Sequence, residues 1–170
     1  MQKQIKEEIK TNRVNRVWIG DPCYVIADGL WDGVVDQIYR GNQEEAGFKI
    51  EFTAQELLDT GVMDSVNMAL PLAFIQCGTM YGDGVYTSQS GFEYPVDAGC
   101  LAMIPDYLIH PDKYKSAKEL GKFFIIDNRE DQFNAEDGTL GLKTDGRGTF
   151  EFTHNDKVIE TIYTDYYEDE

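Results

Sequence analysis

Three aspartates of this chain stand in corners made by glycine or proline: Asp21 in Gly-Asp-Pro-Cys, Asp83 in Gly-Asp-Gly and Asp97 in Val-Asp-Ala-Gly-Cys. A turn holds a short carboxylate on a fixed backbone, which suits proton transfer or the binding of a hard cation. Asp in such corners more often hydrogen-bonds its own turn, and that structural role is the first expectation for all three. Nucleophilic chemistry would need a thiol or hydroxyl beside a base. Cys23 and Cys100 each follow a corner and begin an apolar run, so they read as small buried apolar side chains. His110 stands before Pro111 and His154 falls in a hairpin turn; both read as exposed, and neither has His-x-His or His-Glu-x-x-His spacing. No catalytic residue, metal ligand or cofactor is assigned on these grounds. Gly82 to Gly84 does not read as a phosphate loop, because a strand and not a helix follows it. Asp127 to Gly138 is dense in carboxylates but lacks the ligand order of a calcium loop. If the chain holds a small ligand, such as a nucleotide-like signal that it sequesters or hydrolyses, the corners supply the pocket. Its residues are then Trp18, Asp21, Tyr24, Asp83, Tyr86 and Asp97, with Trp31 and Tyr81 as further stacking faces and Arg16 or Lys122 against phosphate.

The elements that must position these residues follow from periodicity. Residues 1–12 read as a polar arm or short helix, since Ile5 and Ile9 lie one turn apart. From Arg16 to Ile26 the chain is aromatic and β-branched on both sides of Gly20 and Pro22, which predicts strand, corner, strand. Leu30, Trp31, Val34, Val35, Ile38 and Tyr39 recur at helical spacing, with Gly41 placed to cap that helix. Phe48, Ile50 and Phe52 alternate with polar residues as a half-buried strand does, and Thr53 with Glu56 fits a capping box opening a second, weaker helix. Apolar residues on either side of Pro71 read as strand, the proline demoting it to an edge or a bulge. Short strands then alternate with turns at Gly82–Gly84, Ser88–Gly91 and Asp97–Gly99. Pro105 to Leu120 reads as loop or short helix, and four strand-like runs close the chain, the last two joined through His154, Asn155 and Asp156. The expected fold class is α+β and mostly β: an antiparallel curved sheet or barrel-like domain with one or two helices. Its divisions are a polar arm (1–12), a single β-rich domain (13–164) and an acidic tail (165–170). The blocks IGDPCYVIAD and VDAGCLAMIPD each set an apolar residue before an Asp corner, a Cys and an apolar run, which suggests two hairpins paired about a pseudo-twofold.

Charge bounds the partners. With 15 Lys and Arg against 31 Asp and Glu, the net charge is −16. Such a field repels phosphate backbones, and Lys113, Lys115, Lys118 and Lys122 form only a short stripe, read as a solvated helix face, so direct nucleic-acid binding is not expected. Ten Tyr, nine Phe and two Trp supply a core that a disordered acidic chain would lack. Three widely spaced Cys fit neither a disulfide framework nor a zinc site. No apolar run is long enough for a membrane span or a secretory leader, so a cytoplasmic location without membrane contact is expected. An acidic field favours basic partners. The acidic, tyrosine-bearing end, with Tyr163, Asp165, Tyr166, Tyr167, Glu168 and Asp169, is the expected contact surface for a basic intracellular protein, and a homodimer remains open.

GDPCYV at 20–25, GDGVY at 82–86 and VDAG at 96–99 before an apolar strand resemble motifs of small uncharacterised phage and bacterial proteins, over about the middle two-thirds of the chain. The resemblance transfers no activity and no site residue. It implies a mobile-element protein acting on host machinery, and hence an inhibitor or immunity-type, anti-defence role in the host cytoplasm. The function expected is a non-catalytic protein-binding module that blocks a basic site on an intracellular partner. The alternative is the small-ligand module described above.

Overall fold

Residues 17–19, 73–77 and 101–104 are apolar at nearly every position, the pattern of strands buried on both faces. The computed structural model, which describes residues 5–11, 16–40, 47–66, 70–126, 138–145 and 148–164, places them in the middle of the fold. In chain order the elements are β1 (Ile5–Thr11), β2 (Arg16–Gly20), α1 (Asp28–Arg40), β3 (Gly47–Glu51), α2 (Ala54–Asp59), β4 (Ala73–Gly78), β5 (Gly84–Thr87) and β6 (Glu93–Val96). There follow β7 (Cys100–Pro105), α3 (Tyr114–Leu120), β8 (Gly121–Ile125), β9 (Gly138–Thr144), β10 (Thr149–His154) and β11 (Lys157–Tyr163). Single 3-10 turns at Pro22–Tyr24, Asp106–Leu108 and Pro111–Lys113 serve as corners.

A five-stranded sheet in the order β3-β4-β7-β2-β8 has a different core on each face. Val17, Ile19, Ile75, Cys77, Leu101 and Met103 point to one side, where they meet the β5-β6 hairpin and the four-stranded sheet β1-β9-β10-β11. Trp18, Phe74, Ala102 and Ile104 alternate to the other side and meet Leu30 and Val34 of α1, Leu57 of α2 and Ala117 of α3. The sheet is thus sandwiched between a helical layer and a second β layer. Each large apolar side chain it buries contributes about 1.5–3 kcal/mol.

The fold is α+β with strands predominating, as the composition suggests, but two expectations are corrected. Among the described residues no sheet closes or curls into a barrel: three separate open sheets are present, because the central one is covered on both faces and its apolar surface needs no closure to escape water. There are also three helices, not one or two, α3 having been read as loop or short helix. Local readings are corrected as well. Ile5–Thr11 is a strand paired with β9 and not a helix. Val25 and Ile26 leave the corner for α1 and form no strand, since Val25 N–H and Ile26 N–H both bond back to Pro22 O, at 3.1 Å each. β4 is interior to its sheet, and Pro71 lies outside it. Gly41, most of the carboxylate-rich segment (127–137) and the acidic tail (165–170) fall outside the described residues.

Other readings hold in detail. Thr53 Oγ1 accepts from Glu56 N–H at 3.2 Å while Glu56 Oε1 accepts from Thr53 N–H at 2.8 Å, a complete capping box on α2. Asn155 and Asp156 take φ of 52° and 64°, the two left-handed residues of a type I′ hairpin turn. Trp18 shows how the strands set a close approach. Gly20 lies two residues on, hence on the same face, and its cross-strand partner is Gly121. The indole lies over both, a Cβ at either position would collide with it, and its N–H donates at 2.7 Å to Ala117 O of α3.

Candidate functional site

The three Gly and Pro corners converge. Asp21 is fully buried beneath the turn that follows β6. Its Oδ2 accepts from the backbone N–H of Asp97 at 2.7 Å and of Ala98 at 2.6 Å, and its Oδ1 accepts from Cys23 N–H at 2.9 Å. Short bonds to a carboxylate are among the stronger hydrogen bonds in a protein. The third corner joins through Thr79: its N–H donates to Gly99 O at 3.0 Å and its hydroxyl to Gly82 O. Tyr86 Oη also donates to Gly82 O, at 2.9 Å. The two similar sequence blocks therefore meet without forming equivalent hairpins. The first enters a 3-10 turn and then α1, the second enters β7, and the Asp of the first grips the backbone of the second.

Trp18 and Tyr86 lie fully inside the cores. Tyr24 is half-buried, its hydroxyl hydrogen-bonded to the Asp97 carboxylate, and burial with that neighbour pushes its pKa up. Asp83 and Asp97 are exposed. Burial, reinforced by the Asp21 carboxylate, raises Cys23; burial raises Cys77 and Cys100 as well, so all three thiols are held protonated and far from the reactive thiolate. Of the residues named as phosphate contacts, Arg16 is bonded to Asp106 at 3.1 Å and lies over the Phe123 ring, and Lys122 lies over Phe124. Tyr163, the one described member of the expected contact surface, donates to Gln89 Oε1 at 2.7 Å; Asp165, Tyr166, Tyr167, Glu168 and Asp169 lie outside the described residues.

A second site, not read from the sequence, forms where the N-terminus of α1 meets the C-terminus of α2. A Cβ at Gly29 would lie 3.1 Å from Thr60 Cγ2, so glycine permits the approach. His110 N–H bonds to Val25 O at 3.3 Å and draws in the turn at Pro111–Lys113. Between them opens a cavity of about 440 Å³ lined by Asp28, Gly29, Asp59, Thr60, His110, Asp112 and Lys113 with Ala27. His110, expected to be exposed, is 20% exposed, and its Nδ1 accepts from Asp112 N–H at 3.1 Å, which leaves the ring proton of the neutral form on Nε2. Lys113 Nζ bonds Asp28 at 2.9 Å and holds that carboxyl below its usual range. Gln55 donates to one oxygen of Asp59 at 2.7 Å. Of the cavity's walls, His110 and Lys113 were named from sequence, but not their meeting with Asp28 and Asp59, which come from segments far away in the chain.

Around the cavity the surface is acidic. Asp28, Asp32 and Asp36 repeat every fourth residue along the exposed side of α1, and Glu51, Glu56, Asp59 and Asp64 are exposed on the neighbouring elements; over the described part of 28–66 only Arg40 and Lys49 oppose them. Arg40 is paired with Asp36 at 3.1 Å. Tyr39, 70% exposed, and Leu58, 38% exposed, add apolar area to the same helices.

Among the described residues no group of three or more His, Cys, Asp or Glu side chains is placed to hold a metal ion. No described helix is long and apolar enough to cross a membrane. In comparison with known proteins, the chain matches no family model, no curated protein and no solved structure.

Proposed function

We propose that this protein is a non-catalytic binding module that covers a basic site on another protein, in the manner of an inhibitor or immunity-type factor. The observation that carries the reading is the one-sided charge of the α1 and α2 side of the helical layer: over residues 28–66 seven exposed carboxylates at Asp28, Asp32, Asp36, Glu51, Glu56, Asp59 and Asp64 stand against Arg40 and Lys49, with Lys113 from outside that segment paired with Asp28, while the cations Lys115 and Lys118 lie on α3. Carboxylates gathered in this way steer a basic partner at long range and fix its orientation. Tyr39 and Leu58 offer contact area once the partner has docked. This surface differs from the C-terminal one expected from sequence, and most of its carboxylates stand on α1 and α2.

The test is binding of nona-lysine to the full chain, followed by fluorescence anisotropy at about 50 mM and about 300 mM salt. Binding is expected to weaken by roughly tenfold with salt. The double change Asp32→Asn with Asp36→Asn should weaken it further, while Glu93→Gln with Glu151→Gln, which removes the same charge elsewhere, should have much less effect. Equal effects of the two pairs would show that only net charge matters and would overturn the docking face.

A further inference from the structure

We infer that the outward face of the β5-β6 hairpin, with the loop that leads into it, is a docking surface for a basic segment of another protein that carries aliphatic or aromatic side chains among its cations. Of the seven large apolar side chains exposed among the described residues, three stand within one six-residue stretch: Met80 at 48%, Tyr81 at 55% and Val85 at 43%. Strand alternation accounts for Val85. Tyr86 and Tyr94 point inward and are fully buried, so Val85 and its cross-strand partner Pro95 point outward together. The loop is held by polar contacts: Met80 N–H donates to Thr164 Oγ1 at 3.1 Å, and Gly82 O accepts from Tyr86 Oη at 2.9 Å. Its apolar side chains therefore stand at the surface on a fixed backbone, while the inward side of the hairpin serves the core. Exposed apolar side chains gathered in this way mark a contact site, and Tyr and Met are favoured at such places, the one as a rigid anchor and the other as an adaptable surface. Charge selects the occupant. Asp83 lies between Tyr81 and Val85, Glu93 shares the outward face with Pro95, and both are exposed. The chain has no Lys or Arg from residue 50 to residue 112, and its described ion pairs lie elsewhere. A second copy would set carboxylates against carboxylates, and anionic lipid or nucleic acid would meet the same repulsion. A basic segment is attracted, and the Tyr81 ring can take either a cation or an apolar side chain on its face. The inference stands apart from the helical-face reading, since the hairpin covers the other side of the central sheet and the argument rests on apolar side chains.

The experiment compares two labelled heptapeptides of equal charge on the full chain by fluorescence anisotropy: Lys-Leu-Lys-Trp-Lys-Leu-Lys and Lys-Ser-Lys-Ser-Lys-Ser-Lys, both amidated. The apolar peptide is expected to bind more tightly by roughly tenfold. Tyr81→Ser with Val85→Thr should abolish the preference, and Met80→Gln should lower it partway, with the melting temperature of each variant checking that the fold is kept. Tyr39→Ser with Leu58→Ser, on the helical layer, should leave it intact. Equal affinity for the two peptides would overturn the inference, as would a preference that survives Tyr81→Ser with Val85→Thr or is removed by the helical pair instead. Sedimentation of the unmodified chain and of the Tyr81 and Val85 variant supplies the last arm: a dimer lost in the variant would assign the patch to a second copy and overturn the basic partner.

Discussion

Asp21 and Asp28 stand seven residues apart at the two ends of one short motif, yet the regions they belong to use carboxylates in opposite ways. At the corner, Asp21 is enclosed and meets three backbone N–H groups from two segments of chain. At the acidic face, Asp28 is 96% exposed, and the carboxylates beside it look into solvent and a cavity. A buried carboxylate keeps its charge only if donors surround it, so the corner is a lock. Exposed carboxylates of one sign repel one another and are relieved by a cation from outside, which is why the docking of a partner is proposed for the helical face.

Changes at the two regions should separate these roles. Asp21→Ala should have the largest effect on stability, about 3 kcal/mol, because it removes three charge-assisted bonds joining distant segments. Asp28→Ala should leave the urea-unfolding midpoint nearly unchanged, and similar losses at both positions would erase the contrast. Gly121→Ala should cost about 2 kcal/mol, since the new methyl meets the Trp18 indole and the backbone of Ile19; denaturant unfolding reads this directly. Tyr94→Phe should cost about 1 kcal/mol by removing the hydroxyl that donates at 2.8 Å to the buried Glu160 carboxylate, which Ser90 also serves.

A pH series tests the closed interior as a whole. Burial raises the pKa of Cys23, Cys77, Cys100, Tyr24, Tyr94 and Tyr107 above their ordinary values. The folded state therefore holds these protons more tightly than the unfolded chain. Their stabilising contribution is complete below the unfolded values, about 8.5 for Cys and about 10 for Tyr, and is lost as pH rises above them. Melting temperature should be flat near neutrality and fall from about pH 9 upward, with all three thiols slow to alkylate until that point. The smallest effect belongs to the acidic face: Asp32→Asn with Asp36→Asn should shift stability by no more than about 0.5 kcal/mol while weakening nona-lysine binding.

Much of the local structure was legible. The apolar spacing from Leu30 to Tyr39 marks α1, Thr53 and Glu56 mark the cap of α2, and Asn155-Asp156 marks the last hairpin, because each signal lies within a few residues. Other elements were not legible. Ile5 and Ile9 are four apart, which fits a helix, and β9 settles the matter by pairing with every residue of 5–11. β4 follows a proline and still lies inside its sheet, because Pro71 stands two residues before the strand and never enters the ladder; its carbonyl accepts instead from the Tyr107 hydroxyl at 2.6 Å. The corner residues were legible as turn-formers, but their meeting was not, since Asp21 and Asp97 are brought together only when β2 and β7 pair in register.

The sequence by itself determined which segments are apolar, where the chain turns, and that carboxylates far outnumber cations, because these depend on residue type and near spacing. Only the tertiary structure decided which carboxylate is enclosed and which are displayed. That choice depends on the backbone donors and cavity walls delivered by distant segments, and on the central sheet having both faces covered. Asp21 and Asp28 are the same residue type in the same motif, and their surroundings alone make one a lock and the other part of a surface.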